Sequence, residues 1–172
     1  NRLKMKKVFL VLLMVIFTIA CKSKQEEKIK ESKKEFIVKI KHRVNKKDVF
    51  KLVLYNIITD ENQNKWIQIN EKVVGTSATE NLTANFGENI SYNFRINFGV
   101  KQEKEIEIKY IEILYGSKSI YVKPEELKNH FTFNEFITQD KVTNKLRTKK
   151  IGGKLNPIIY FKIEYLKELE EN

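Results

Sequence analysis

ISYNFRINF, residues 90–98, is the stretch that indicates the fold most clearly. Its apolar side chains stand at every second position, and Ser91, Asn93, Arg95 and Asn97 alternate with them. Successive side chains of a β-strand point to opposite faces of its sheet, so a period of two is typical of a strand with one buried face. The stretch therefore predicts a core strand.

Related patterns extend along the chain in both directions. Residues 36–44 alternate in the same way, and residues 49–58 are apolar on both faces, which predicts a central strand covered on both sides. In residues 105–114 the inward phase slips by one residue near Lys109 and Tyr110. Because a slip of one residue turns every later side chain to the other face, we expect a β-bulge there.

These patterns together predict an all-β fold, a single antiparallel, jelly-roll-like β-sandwich over residues 36–168 with eight to ten short strands. Residues 124–128, PEELK, predict the one short helix, because proline suits the first helical position and acids suit the N-terminal end of the dipole. Residues 158–166, IIYFKIEYL, predict a closing strand, and residues 169–172 are expected to fray.

The N-terminal part has the layout of a secretory signal. In MKKVFLVLLMVIFTIAC, residues 5–21, Lys6 and Lys7 precede an unbroken apolar run, and the small residue Ala20 stands before Cys21. The apolar run is shorter than the roughly 20 residues that a helix needs to cross a bilayer. A removable leader is therefore favoured over a transmembrane anchor.

The segment TIAC, residues 18–21, resembles the lipobox of bacterial lipoproteins, with Thr18 where that family prefers leucine. The resemblance implies cleavage before Cys21, lipid attachment to its thiol and usually acylation of the new N-terminus. Several acyl chains, at roughly 0.8 kcal/mol per buried methylene, would hold the protein on a membrane. An alternative for Cys21 is an ordinary buried thiol.

Residues 21–35 carry many charges and few apolar side chains, which indicates a flexible tether. Within them KQEE, residues 24–27, is similar to the export signal by which Bacteroidetes lipoproteins reach the outer face of the outer membrane; an ordinary charged linker is the alternative. We expect a lipid anchor on the outer membrane, with the domain facing the periplasm or the cell surface.

Composition limits the classes of partner. The 172 residues carry a net charge of +11, and cleavage before Cys21 removes four basic residues and no acid, which leaves 152 residues with a charge of +7. That length fits one domain, and a basic balance suits nucleic acid, anionic lipid or acidic polysaccharide. The expected secretory signal and the lack of a nucleic-acid-binding motif argue against nucleic acid as the partner. With its single cysteine assigned to lipid, the chain predicts no disulfide and no cysteine-based metal site.

The strand patterns of residues 48–50, 94–99 and 106–113 resemble a β-sandwich domain of Bacteroidetes envelope and polysaccharide-related proteins. Domains of this kind are similar to the galactose-binding-like jelly rolls of carbohydrate-binding modules, which implies a glycan ligand. Asn97 and Asn156 stand where the pattern usually has aspartates, so the resemblance does not carry an ionic or cation-binding role to them.

Candidates for catalysis are few. His42 and His130 have no metal-ligand spacing around them, and the sequence contains neither a glycine-rich phosphate loop nor a nucleophile elbow. Glutamates in residues 103–112 alternate with lysine, a spacing that does not by itself place two carboxyls across a bond. We therefore favour a binding protein over an enzyme and expect no cofactor and no metal.

A sugar-binding face needs exposed aromatic rings beside amide or charged donors. The candidate ligand-binding residues are Trp66, Arg95, Tyr115, Tyr121, Asn134 and Tyr160. The alternative is core packing for the aromatic rings and a salt bridge to a strand glutamate for Arg95. We expect an envelope protein that binds a polysaccharide; the alternatives are a structural or assembly lipoprotein that docks on another envelope protein and, third, a hydrolase.

Overall fold

Two antiparallel β-sheets pack face to face and form a β-sandwich. The computed structural model describes residues 34–56, 65–91 and 93–170; residues 1–33, with the expected leader, Cys21 and most of the expected tether, lie outside the described residues. The described strands are β1 (Phe36–Val44), β2 (Asp48–Asn56), β3 (Lys65–Val73), β4 (Glu80–Asn85), β5 (Asn93–Asn97), β6 (Glu105–Tyr115), β7 (Lys118–Val122), β8 (Phe131–Phe133), β9 (Ile137–Gln139), β10 (Leu146–Thr148) and β11 (Ile158–Phe161).

The chain passes back and forth between the two sheets. The six-stranded sheet has the order β4-β1-β6-β10-β9, with β7 paired to β6, and the five-stranded sheet has the order β3-β2-β5-β11-β8. Every pairing between these strands is antiparallel. The predicted all-β class and antiparallel sandwich are confirmed.

The alternating stretch that predicted the core strand supplies the middle of the five-stranded sheet. Phe94, Ile96 and Phe98 are buried between the sheets, as the pattern indicates. The Phe94 ring meets that of Phe36 from the opposite sheet edge to face, with 5.7 Å between the centroids. Burying a phenylalanine side chain contributes roughly 1.5–3 kcal/mol, so such contacts between the sheets hold the sandwich together.

The predicted β-bulge lies in β6 where β1 pairs with it. Lys41 faces Tyr110, but its neighbour His42 faces Ile108, so Lys109 is the additional residue. Ile108 before the bulge and Ile111 after it are both buried as a result. The slip read from the sequence is thus a real irregularity, and it keeps both halves of the strand facing the core.

Helices are more extensive than expected. A 3₁₀ turn (Pro124–Glu126) and helix α1 (Leu127–His130) occupy the predicted helical site, but a second helix, α2 (Ile163–Glu170), follows β11. The expectation of a strand to residue 166 is therefore wrong; the helix also includes residues 169 and 170, while residues 171–172 of the segment expected to fray lie outside the described residues. Leu166 and Leu169 lie three residues apart, which places both on one side of a helix, where they are buried. Neither α1 nor α2 has the length and apolar character to span a bilayer.

Candidate binding face

The outward surface of the five-stranded sheet combines aromatic, amide and basic side chains. Side chains alternate along each strand, so the residues between the buried ones point away from the core. We call this surface the Trp66 face; its main side chains are Lys51 and Tyr55 of β2, Trp66, Gln68, Asn70 and Lys72 of β3, Asn93 and Arg95 of β5, Thr132 of β8 and Tyr160 of β11.

A band of four large side chains crosses this face from strand to strand. Trp66 pairs directly with Tyr55 on the neighbouring strand, and Arg95 pairs directly with Tyr160. Arg95 is the diagonal neighbour of Tyr55, since its own partner on β2 is Val53. Adjacent strands lie about 4.8 Å apart, so the band covers three gaps and about 14 Å. It is long enough to contact more than one sugar ring.

The two ends of the band are open to solvent. Trp66 is 55% exposed and Tyr160 is 37% exposed, whereas both residues would be buried if they packed in the core. An indole and a phenol in these positions offer apolar ring surface together with a polar group at one end. The sequence left core packing open for both residues, and the structure places them on the surface.

Arg95 connects the two halves of the band. Its guanidinium carbon lies 4.6 Å from the centroid of the Tyr55 ring, and its Nη2 donates a hydrogen bond to Tyr55 Oη. The alternative of a salt bridge to a strand glutamate is not found, because no carboxylate among the described residues pairs with Arg95. The cation–π contact orients the guanidinium and leaves its positive charge without a counterion in the described part of the chain.

Val53 lies beneath this arrangement. It belongs to the outward side of β2, between Gln68 and Arg95, yet only 3% of it is exposed. The sequence predicted a central strand covered on both sides. Val53 is not part of the described inter-sheet core, although it is flanked on the neighbouring strands by Gln68 and Arg95.

Tyr115 and Tyr121 do not lie on this face. Both belong to the six-stranded sheet, where Tyr115 packs against the core. Tyr121 is 51% exposed on the outer side and stacks on Tyr110, with 5.1 Å between the ring centroids. The structure therefore brings together Trp66, Arg95 and Tyr160 and separates them from these two tyrosines.

Asn134 is engaged within the fold. Its Nδ2 donates to the carbonyl oxygen of Asn156 at 2.7 Å, and its Oδ1 accepts from the amide of Ile158 at 3.1 Å. Asn156 Oδ1 in turn accepts from Nδ2 of the buried Asn97 at 2.7 Å. These three asparagines fasten the segment before β11 to its neighbours, so a ligand would have to compete for the Asn134 amide.

A polar groove of about 290 Å³ lies elsewhere, at the end of the six-stranded sheet. Its lining residues are Arg43, Asn45, Gly75, Thr76, Ser77, Glu105 and Glu107. Hydrogen bonds from Lys145 and Arg147 lower the pKa of Glu105, and those from Lys109 and Arg43 lower the pKa of Glu107. A glycosidase acid needs a raised pKa, and the pKa values of both carboxylates are shifted in the opposite direction.

Neither histidine is among the side chains of the Trp66 face. His42 is buried between the sheets, and His130 Nδ1 lies 3.1 Å from the Glu126 carbonyl oxygen, with its ring against Tyr165. Across residues 34–56, 65–91 and 93–170, no three histidine, cysteine or acidic side chains are grouped for a metal ion.

Tyr55 is the member of the band that the sequence reasoning missed. Its outward position follows from alternation with the apolar residues at positions 52 and 54, but the sequence predicted a strand covered on both sides, whereas Tyr55 is only half-buried. The pattern does not predict that Tyr55 pairs with Trp66, because this pairing depends on the register of β2 against β3. No known family model matches the sequence, and no curated protein matches it either.

Proposed function

We propose that this chain is a lipid-anchored envelope protein that binds a polysaccharide through the Trp66 face. The observation that supports the proposal most is the band of Trp66, Tyr55, Arg95 and Tyr160 across four adjacent strands. Aromatic rings can stack on the C–H faces of sugars, and the neighbouring amides and guanidinium can hydrogen-bond to hydroxyl groups. The side chains stand on strands, which hold them in place more rigidly than loops would.

Affinity gel electrophoresis and calorimetry with a panel of soluble polysaccharides test this binding. We expect at least one polysaccharide to retard the full chain. Trp66→Ala should weaken its binding by about tenfold or more, since tryptophan is enriched among the interface residues whose truncation costs about 2 kcal/mol or more. Tyr121→Ala is the matched control, because it removes an exposed aromatic ring of similar accessibility from the opposite sheet.

Two results would count against polysaccharide binding. If no polysaccharide of the panel retards the protein, polysaccharide binding is contradicted. If Trp66→Ala and Tyr121→Ala have equal effects, the polysaccharide does not bind at the Trp66 face. A membrane pull-down that recovers a stoichiometric envelope protein, unaffected by Trp66→Ala, would instead favour the assembly function.

The lipid anchor is a separate part of the proposal and has its own test. We expect the protein expressed in a bacterial host to incorporate radiolabelled palmitate and to enter the detergent phase of a Triton X-114 extract. Cys21→Ser should abolish both, because the thiol is the proposed attachment atom. Equal labelling of the Cys21→Ser variant would exclude Cys21 as the attachment site.

A further inference from the structure

The Trp66 face is positively charged at its strand positions. It carries Lys51, Lys72 and Arg95, and none of the described strand residues that point outward from this sheet is acidic. None of the three cations forms an ion pair with a carboxylate of the described residues. Three unneutralised cations on one sheet surface produce a field that attracts anions.

The outer side of the six-stranded sheet shows the opposite arrangement. There Lys39 pairs with Glu112 at 3.1 Å, Lys145 with Glu105 at 2.6 Å, and Arg43 with Glu107. Each of these three carboxylates has at least one basic partner, although cations outnumber carboxylates on that surface too, and Lys41 has no carboxylate partner among the described residues. The Trp66 face differs in that its cations stand on a surface whose described outward strand positions carry no carboxylate.

Arg95 is arranged to contact an anion beside an aromatic ring. A guanidinium has five N–H donors, and the described residues use one of them, in the bond to Tyr55. The remaining donors form a planar fork that suits the two oxygens of a carboxylate or a sulfate. Tyr160 stands directly opposite on β11, so an anionic group at Arg95 would lie next to an exposed ring.

The amides of the face favour a carbohydrate as the carrier of these anionic groups. Gln68 and Asn70 form a hydrogen-bonded pair at 2.8 Å beside Trp66, and Asn93 is exposed on the other side of Tyr55. Amides donate and accept, as do sugar hydroxyls. Single-stranded nucleic acid needs a basic groove that follows a phosphate at every nucleotide, whereas three separated cations suit a more sparsely charged chain.

We infer that the ligand of the Trp66 face is an acidic polysaccharide, a sugar chain that carries carboxylate or sulfate groups. This inference rests on the proposed function and specifies its ligand class. Arg95 binds the anionic group, Lys51 and Lys72 attract neighbouring charges of the chain, and Trp66 and Tyr160 contact sugar rings on either side.

Polygalacturonate and its fully methyl-esterified form make a matched pair of probes, since they share a backbone and differ in the charge of the carboxyl. We expect the full chain to bind polygalacturonate about tenfold more tightly in calorimetry at low salt, because a charge-assisted hydrogen bond is lost on esterification. The difference should shrink as sodium chloride is raised toward 1 M, where the screening length falls to about 3 Å. Dextran sulfate against dextran tests sulfate in the same way.

Charge-removing variants locate the effect. Arg95→Gln should remove most of the preference for the charged probe, and Lys72→Gln, at an exposed position of the same face, should reduce it without disturbing a buried contact. Lys41→Gln removes the same charge from β1 in the other sheet and should leave the preference unchanged. Circular dichroism of each variant establishes that it is folded.

The outcomes separate this inference from the function on which it rests. Equal binding of charged and uncharged probes, with both weakened by Trp66→Ala, would keep polysaccharide binding and overturn the acidic ligand class. Absence of binding to all four polysaccharides would overturn the acidic ligand class and, if the wider panel also failed, polysaccharide binding itself. Tighter binding of an oligothymidylate than of either acidic polysaccharide would overturn both in favour of nucleic acid.

Discussion

Lys104 Nζ lies 2.7 Å from Asp48 Oδ2, and the two side chains are 0% and 2% exposed. Burial raises the pKa of Asp48, but the ammonium group and the backbone amides of Val49 and Lys101 outweigh it and hold that pKa below its ordinary value. Lys104 Nζ also donates to the carbonyl oxygen of Phe98 at 3.1 Å. The pair thus joins the start of β2 to the segment between β5 and β6.

Removing the cation of this pair should be costly. We expect Lys104→Met to lower the free energy of unfolding by about 3–5 kcal/mol, because it leaves the Asp48 carboxylate buried without a counterion. Urea unfolding followed by circular dichroism measures the change. The control is Lys39→Met, which breaks the partly exposed pair with Glu112 and should cost at most about 1 kcal/mol. Similar losses in the two variants would contradict a structural role for the buried pair.

Gly99 is held in place by the same pair. Its φ is +85°, and a β-carbon there would lie 2.3 Å from the Asp48 carboxyl. We expect Gly99→Ala to destabilise the fold by more than the roughly 1–2 kcal/mol of left-handed strain, since the carboxylate must also shift away from Lys104. Gly152→Ala is the matched control in thermal unfolding, because Gly152 has a φ of +56° and open space around it. Equal midpoint shifts would argue against the steric contribution.

The bulge residue should be needed for its position in the chain and not for its side chain. Deleting Lys109 forces one part of β6 to turn over, so that Ile111 and Ile113 would leave the core or Ile106 and Ile108 would. We expect the deletion to abolish cooperative unfolding, whereas Lys109→Ala should change stability by less than about 1 kcal/mol. A deletion variant with normal chemical-shift dispersion in NMR would contradict this account.

His42 should make the stability depend on pH in mildly acidic solution. Its ring is buried against Phe50, and neither ring nitrogen has a hydrogen-bond partner among the described residues. Burial lowers the pKa of His42 below 6.5 and outweighs two opposing contributions, first that of the Ile40 backbone and then the charge of Glu80, its register partner on β4. The unfolded chain then binds more protons than the folded chain below pH 6.5, so stability decreases as the pH falls through that value.

Urea unfolding between pH 5 and pH 7 measures this effect, above the range in which Asp48 titrates. The slope can reach about 1.4 kcal/mol per pH unit for one proton. His42→Leu should flatten it, whereas His130→Gln should keep it. An unchanged slope in His42→Leu would assign the pH dependence to other groups.

Local patterns of the sequence were sufficient for the strands and for one irregularity within them. Phe94, Ile96 and Phe98 alternate with polar residues, and this period of two is typical of a β-strand with one buried face. The phase slip at Lys109 was equally legible, because the isoleucines on either side had to reach the same core. The secondary structure of residues 158–166 could not be predicted in this way, since a short apolar run fits a strand and a helix alike.

The candidate site depends on distances that no local pattern contains. Trp66 could be read as an exposed aromatic, but its contact with Tyr55, and that of Arg95 with Tyr55 and Tyr160, follow from the register of four strands. The same register places Tyr115 and Tyr121 in the other sheet.

The sequence by itself determined the period of the strands and the bulge, and it predicts the lipid anchor. Tertiary structure alone decided which side chains share a face, because strand pairing joins residues that are distant along the chain. A shift of one residue in the register of a strand would turn its side chains from the core toward solvent, or the reverse.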